Sequence, residues 1–390
     1  MSAIPAPARL GPPRAAPRVA AGLRLFGPPL VAFVAAQCAL VIAAGVAGYP
    51  AFSATRSWSR FDSAYYVSIA QAGYSVAPCG PARPPGTWCG NAGWFPGYPL
   101  LTSFPVQLGA PVRPAAWYVS LACCLAALSV VWIGFLGAQS TLRNWLCLSM
   151  AAFTPGQVYY HTIFPLALAG LALLLVLYYA RLERWLSAGV SGAVLTATYP
   201  SGGLIIPVTA LWLLFRRDGA ALRTRLIRIV LTSGVASLGG LFVIVIQRVQ
   251  TGHWLAFFNV HSHYHNYWQD PLPQLVRVVK PIFSHAPTVA VIPHYEAAFA
   301  AALVVLVCGA VLTRRGRSGP IDSLLVLTLL AYWLVPLSIH HMDLYRSDAL
   351  LIPAALLLRR ASLPFQVAGV ACGVLLSVPM AEAFLVRVLG

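Results

Sequence analysis

An all-α protein that crosses a membrane many times is the fold class this chain predicts, and three properties predict it. Of 390 residues, 59% are hydrophobic and only 9% are charged. The mean hydropathy is +0.76, and long apolar runs alternate with short basic clusters. Such a composition excludes an ordinary water-soluble domain. Because a helix needs roughly 20 apolar residues to cross the hydrocarbon, about eleven spans are expected, with two long loops between them.

Residues 1–24, rich in Pro, Ala and Arg, read as a disordered basic tail, and residues 25–390 as one membrane domain. The run 26–49 is long enough to span, which favours a retained first helix over a cleaved signal peptide. The first long loop, 50–113, contains SRFDSAYYVSIAQAGY, where Phe61, Tyr65, Tyr66 and Ile69 are spaced for an amphipathic helix on the membrane surface, ended by Gly73. Ser59 and Asp62 resemble a capping box with Asp in place of Glu, which is the bland use of that acid. Pro96 and Pro99 set the turn into the second span.

Spans follow at 114–138, 145–160, 164–180, 185–199, 202–215 and 227–249, several of them short enough to be broken or re-entrant. The second long loop, 250–294, is rich in Trp, Tyr and His, and spans at 295–313, 321–339, 349–358 and 363–386 complete the chain. Long loops in compact domains tend to carry function.

The net charge of +17 is organised by this topology. With the N-terminus cytoplasmic, strict alternation puts 17 of the 26 basic residues inside, as the positive-inside rule requires. The surplus then encodes topology and attraction to anionic headgroups, and no basic-aromatic module for nucleic acid is present. All nine histidines fall on or near the outer side, with Asp62, Asp270, Glu296, Asp343 and Asp348. Protonatable chemistry is therefore expected on the extracytoplasmic face of a multi-pass cell membrane protein. No Walker A segment, Rossmann glycine fingerprint or HExxH appears, which disfavours soluble-nucleotide chemistry. Cys79 and Cys89 flank GPARPPGTW in the first outer loop, where an oxidising compartment lets them pair; the other six cysteines sit in apolar runs.

Asp62 is the lone carboxylate among aromatics after the first span. Sugar transfer from an activated phosphate needs a base for the acceptor hydroxyl, a cationic site for the departing phosphate, and walls for lipid. One carboxylate serves as base, and phosphate leaves as an anion without a general acid. Arg346 offers a planar fork for phosphate oxygens, or else anchors the topology or pairs with Asp343 or Asp348. Arg60 and Arg56 are nearer Asp62 in sequence, although Arg60 is also placed to snorkel. Tyr65, Tyr66, Trp94, Tyr98, His261 and Trp268 are candidates for stacking on sugar or lining a prenyl groove, against the ordinary reading of an interfacial aromatic belt. His261, His263 and His265, with Asp270 or His253, invite a divalent metal reading, but an interfacial or sugar-stacking surface explains them equally, and no cofactor is expected.

At these positions the sequence resembles a family. WSRFDSAYYVSIAQAGYS followed by NAGWFPGYPLL is similar to the W-x-x-x-D-x-x-x-Y-x-x-I-A-x-x-G-Y and F-F-P-x-Y-P-L-L signatures of PIG-V-like mannosyltransferases, which have the GT-C fold. TATYPSGGLIIP, TGHWLAFFNVHSHYHNYW and DLYRSDALLIPAALL resemble the later family segments, so the matches run from Trp58 to about Leu358. The chain departs at Tyr199, where the family often has Arg, at His253, where it has Asp, and at Ser347, where it has Tyr. The resemblance implies a GT-C-like bundle and an inverting transfer of a hexose, usually mannose, from a polyprenyl-phosphate sugar. The acceptor is a lipid or glycan, and the family's first-loop acid maps onto Asp62. The competing readings are a lipid or sugar transporter or flippase, and a non-catalytic GT-C relative acting as a partner subunit. A transporter predicts ionisable residues at mid-span and internal pseudo-symmetry, and the mid-spans here are nearly charge-free.

Overall fold

The computed structural model describes residues 18–49, 55–81, 83, 86–262, 267–284, 288–313, 319–339 and 344–388. Its helices, in order, are α1 (Arg18–Val46), α2 (Ser63–Ala72), α3 (Gly97–Gln107), α4 (Val112–Ser129), α5 (Leu142–Ala152), α6 (Leu166–Arg181), α7 (Trp185–Thr198), α8 (Ile205–Phe215) and α9 (Leu222–Ile229). They continue as α10 (Val235–Thr251), α11 (Ala256–His261), α12 (Pro271–Val279), α13 (Pro281–Ser284), α14 (Ile292–Leu312), α15 (Pro320–Ser338), α16 (Leu344–Asp348), α17 (Pro353–Leu358) and α18 (Leu363–Leu385). One small antiparallel pair, β1 (Val76–Pro78) with β2 (Trp88–Gly90), breaks the all-helical pattern, with Ala77 opposite Cys89. Cys79, just after β1, is disulfide-bonded to Cys89 of β2 toward the loop end of this pair, with Cα atoms 5.0 Å apart.

Among the described residues, six stretches are long and apolar enough to cross a membrane: Gly22–Val46, Val112–Phe135, Leu222–Thr251, Val289–Leu312, Pro320–Ser338 and Leu363–Leu385. The sequence reading of about eleven is therefore not met, and the reason is helix length. The 16 residues of α6 rise roughly 24 Å, short of the hydrocarbon thickness. The 14 of α7, 11 of α5 and six of α17 are shorter still. The apolar residues of α6 and α17 are largely covered by protein instead, whereas Leu186, Val190 and Val194 of α7 stay exposed. Every residue from 150 to 170 is buried, and the end of α5, the 153–165 connection and the start of α6 together form the centre of the bundle. Non-helical backbone at that depth is tolerated because protein surrounds it.

Two further expectations change. Helix α1 already begins at Arg18, inside the stretch read as a tail, and the residues before it lie outside those described. Helix α2 does end at Gly73, whose φ is +76°, but its apolar face is not laid on lipid. Ser63, Tyr66, Val67 and Ile69 are buried, and the helix packs on α3 and α4. Only Tyr65 among its aromatics is exposed, at 38%.

The buried 153–165 connection positions the functional residues. At one end the Ile163 N–H donates to Trp58 O at 3.1 Å, and Ser63 Oγ donates to Ile163 O at 2.8 Å. At the other, Tyr160 Oη donates to Ala349 O at 2.6 Å. It thus brackets the chain on either side of Asp62 and just beyond Arg346. Gly156 makes the bracket close: φ is +71°, and a Cβ there would lie 2.6 Å from Ala349 N and 2.9 Å from Tyr345 O. Gly156→Ala is expected to cost about 2–4 kcal/mol from strain and overpacking together, read as a lowered thermal midpoint of the purified protein. An unchanged midpoint would remove the bracket from this account.

Charges at the opposite ends of the helices pair locally. Buried Asp322 accepts from Arg359 at 3.0 Å and from Arg360 at 2.5 Å, and also from the Gly319 N–H at the start of α15. Asp218 accepts from Arg228 at 2.5 Å, and Glu183 from Arg216.

Candidate active site

Asp62 stands at the N-cap position of α2, yet its side chain makes no capping hydrogen bond. The capping-box reading therefore fails, and the carboxylate is turned elsewhere. It accepts from Nη1 of Arg346, across 284 residues of sequence. The Asp62 side chain remains 26% exposed and that of Arg346 only 7%. A part-open carboxylate thus meets a nearly buried cation. The residue before it, Phe61, holds φ at +50°, a left-handed backbone that a bulky side chain rarely adopts. Strain of this kind is kept only where surrounding contacts enforce it.

Those contacts are aromatic. The Arg346 guanidinium lies 5.3 Å from the Phe164 ring centroid and 5.7 Å from that of Phe61. Phe384 backs Phe61 at 5.4 Å and Phe164 at 6.3 Å. Rings from the first loop, the buried connection and the last helix therefore hold one guanidinium. Nothing in the sequence marked Phe164 or Phe384; each is one apolar residue within an apolar run.

Of the other candidates, Tyr65 and Trp268 are exposed, whereas Trp94, Tyr66 and Tyr98 are buried. Tyr65 and Trp94 stack with centroids 3.5 Å apart and planes at 11°. His261 adjoins Trp94 at 6.5 Å, and its Nε2 lies 2.9 Å from Gly93 O. Tyr66 and Tyr98 are 3% and 1% exposed and meet edge to face at 5.9 Å. Tyr98 Oη donates to Ala116 O at 2.6 Å, which leaves that ring no open face for a sugar. Burial first, and then Tyr199 and Asp62, push the Tyr66 hydroxyl well above the usual phenol range, so it stays neutral. Arg60 lies over the Tyr49 ring at 5.0 Å. Trp268 is 71% exposed and pairs with Ile339 at the end of α15.

No group of three or more His, Cys, Asp and Glu able to hold a metal ion occurs among the described residues. His263, His265 and Asp343 lie outside them. His253 meets the Trp88 ring edge-on at 4.8 Å, and Asp270 caps α12 by accepting from the Leu272 N–H at 3.0 Å.

Asp348, weighed above as a partner of Arg346, has a different neighbour. It is 1% exposed, and burial first, then the Glu296 carboxyl, push its own carboxyl well above the usual range. Glu296 is 3% exposed and accepts from the Gly156 N–H at 2.7 Å, which ties α14 to the same bracket. Burial, then Asp348 and Glu296, push the Tyr345 hydroxyl up to about 12. Because the folded chain holds the Asp348 proton more tightly than the unfolded chain, the stability this group lends is complete below the ordinary carboxylate value of about 3.9. It is lost as pH rises through the folded value. Asp348→Asn imitates the protonated form at every pH. The variant is expected to gain stability over the parent between about pH 5 and pH 8, reaching about 1–3 kcal/mol. Thermal unfolding across that range checks it, and a pH-independent difference would contradict it.

No protein-family model matches the sequence, and no curated protein matches it. Solved structures do. The chain is similar to the oligosaccharyltransferase of Archaeoglobus fulgidus in its apo form, with a TM-score of 0.52 and 12% identity over 92% of this chain and 56% of that one. The same enzyme, AglB, in complex with an inhibitory peptide and a dolichol-phosphate gives 0.51 and 12% over 93% and 56%. Tethered to an acceptor peptide with the NVT sequon, it gives 0.50 and 12% over 92% and 55%. The chain thus spans a little over half the length of these neighbours. At such identity the likeness is one of fold alone.

Proposed function

We propose that this chain is an integral membrane glycosyltransferase that moves a hexose from a polyprenyl-phosphate sugar to an extracytoplasmic lipid or glycan acceptor, with inversion at the anomeric carbon. The observation that carries the reading is the contact of Asp62 with Arg346, part-open on one side and enclosed by aromatic rings on the other. Asp62 takes the acceptor hydroxyl proton as the oxygen attacks C1 of the sugar. The C1–O bond to phosphate breaks, and Arg346 stabilises the departing phosphate. Substrate inserts between the two groups, which their ion pair already brings to one place. Tyr65, backed by the buried Trp94 ring, offers its exposed side to the sugar.

The fold shared with AglB supports the reaction class, and the AglB structure with dolichol-phosphate supports a lipid-phosphate donor. Mannose rests on the resemblance of the first-loop motifs to PIG-V-like enzymes. Purified protein in detergent, given polyprenyl-phosphate mannose and a lipid extract, is expected to release polyprenyl phosphate and form a mannosylated product. A transporter or a non-catalytic partner subunit yields neither.

A further inference from the structure

The second long loop carries a one-sided helix. In α12, one turn apart on one edge, Leu272 is 70% and Val276 66% exposed. On a 3.6-residue helix the next strip round holds Arg277 and Lys280, both exposed, while Gln274, Leu275, Val278 and Val279 turn toward protein. No residue of α12 is fully buried. Flanking the helix in sequence, Trp268 is 71% and Phe283 85% exposed. A water-soluble surface does not gather four such side chains beside a basic strip, whereas a bilayer interface favours that order of apolar edge and flanking cations.

The element's place agrees. Helix α12 packs on α14 and α15, two of the helices able to cross a membrane, which seats it against the membrane-crossing bundle. It is also stitched to the site. Trp268 pairs with Ile339, and the Gln269 N–H donates to Ser338 O at 2.8 Å, at the end of α15 and shortly ahead of the helix that bears Arg346.

We propose that the segment from Trp268 to Phe283 is a membrane-docking element: its apolar edge enters the headgroup region of the bilayer that the long helices cross, Arg277 and Lys280 engage anionic lipid, and this seating steadies the Arg346 segment. The occupant is a lipid surface bearing negative charge. One acid, Asp270, lies in the same stretch and is engaged at the helix N-terminus.

The test does not use sugar transfer, so its failure is distinguishable from failure of the enzymatic reading. An environment-sensitive fluorescent amino acid is incorporated at position 276 of the full chain, which is placed in nanodiscs of phosphatidylcholine with or without phosphatidylglycerol. Brominated acyl chains serve as quencher. We expect quenching of at least about twofold with phosphatidylglycerol present, weaker quenching without it, and loss of that lipid dependence in Arg277→Gln/Lys280→Gln. Amide exchange in residues 344–351 is expected to quicken several-fold in Leu272→Ser/Val276→Ser/Phe283→Ser. Emission typical of water and insensitive to bromine overturns the proposal, as does protection of position 276 by a second copy of the chain. Equal quenching in both lipid mixtures overturns the anionic preference, and unchanged exchange at 344–351 overturns the coupling to the site.

Discussion

Asp62→Asn is expected to lower kcat for sugar transfer by about 10²–10⁴-fold while the protein stays folded. Asparagine keeps the shape of the side chain and one oxygen for Arg346, so the contact that closes the site survives in neutral form. Basicity alone is removed. The measurement is initial-rate transfer from a polyprenyl-phosphate hexose, with the thermal midpoint of the same preparation as control. Wild-type turnover would end the assignment of Asp62 as base. A collapsed midpoint with no rate to measure would make Asp62 a structural anchor, which its 26% exposure and unused capping position argue against.

Arg346→Gln is expected to reduce kcat/KM by about 10²–10³-fold, the usual effect of removing one donor to developing negative charge. Arg346→Lys restores the charge without the planar fork and is expected to recover only part of that loss. The pair is tested together in Asp62→Asn/Arg346→Gln. Base and phosphate cation serve one transition state, so the double variant is expected to lose less than the product of the two single losses. Strictly multiplicative losses would mean that the groups act on separate steps. A fully active lysine variant would reduce Arg346 to a topological anchor.

The membrane class was legible because it is a property of composition: a chain with 9% charged residues has too few polar groups to cover a water-soluble surface. Number of spans was not legible. Hydropathy scores an apolar helix alike whether lipid or protein covers it, and the run from 150 to 170 is covered by protein on all sides. The same ambiguity misplaced the amphipathic element. Aromatic spacing pointed to α2, which buries Tyr66 and Ile69 inside the bundle, while α12 in the second long loop leaves Leu272 and Val276 exposed.

At the site, sequence drew attention to Asp62 and Arg346 one at a time, each by a local oddity: an acid among aromatics, and a base amid acids beside an apolar run. Their meeting left no local trace. Arg346 had Asp348 closer along the chain, yet Asp348 lies with Glu296 and the guanidinium reaches Asp62; Asp343 lies outside the described residues. The enclosing Phe164 and Phe384 were invisible for the same reason. Nothing about an apolar residue in an apolar run reports which cation it will face.

By itself, the sequence determined that this chain is helical and lives in a bilayer, where its basic clusters gather, and which acid is chemically conspicuous. These are sums over neighbouring residues, and each is set before the chain folds. Only the tertiary structure decided that six stretches among the described residues are long and apolar enough to span, that the 153–165 connection is buried as a bracket, and that Asp62 confronts Arg346. Each of those depends on which surfaces cover one another across tens to hundreds of residues, and burial and ion pairing at such separations are properties of packing rather than of local composition.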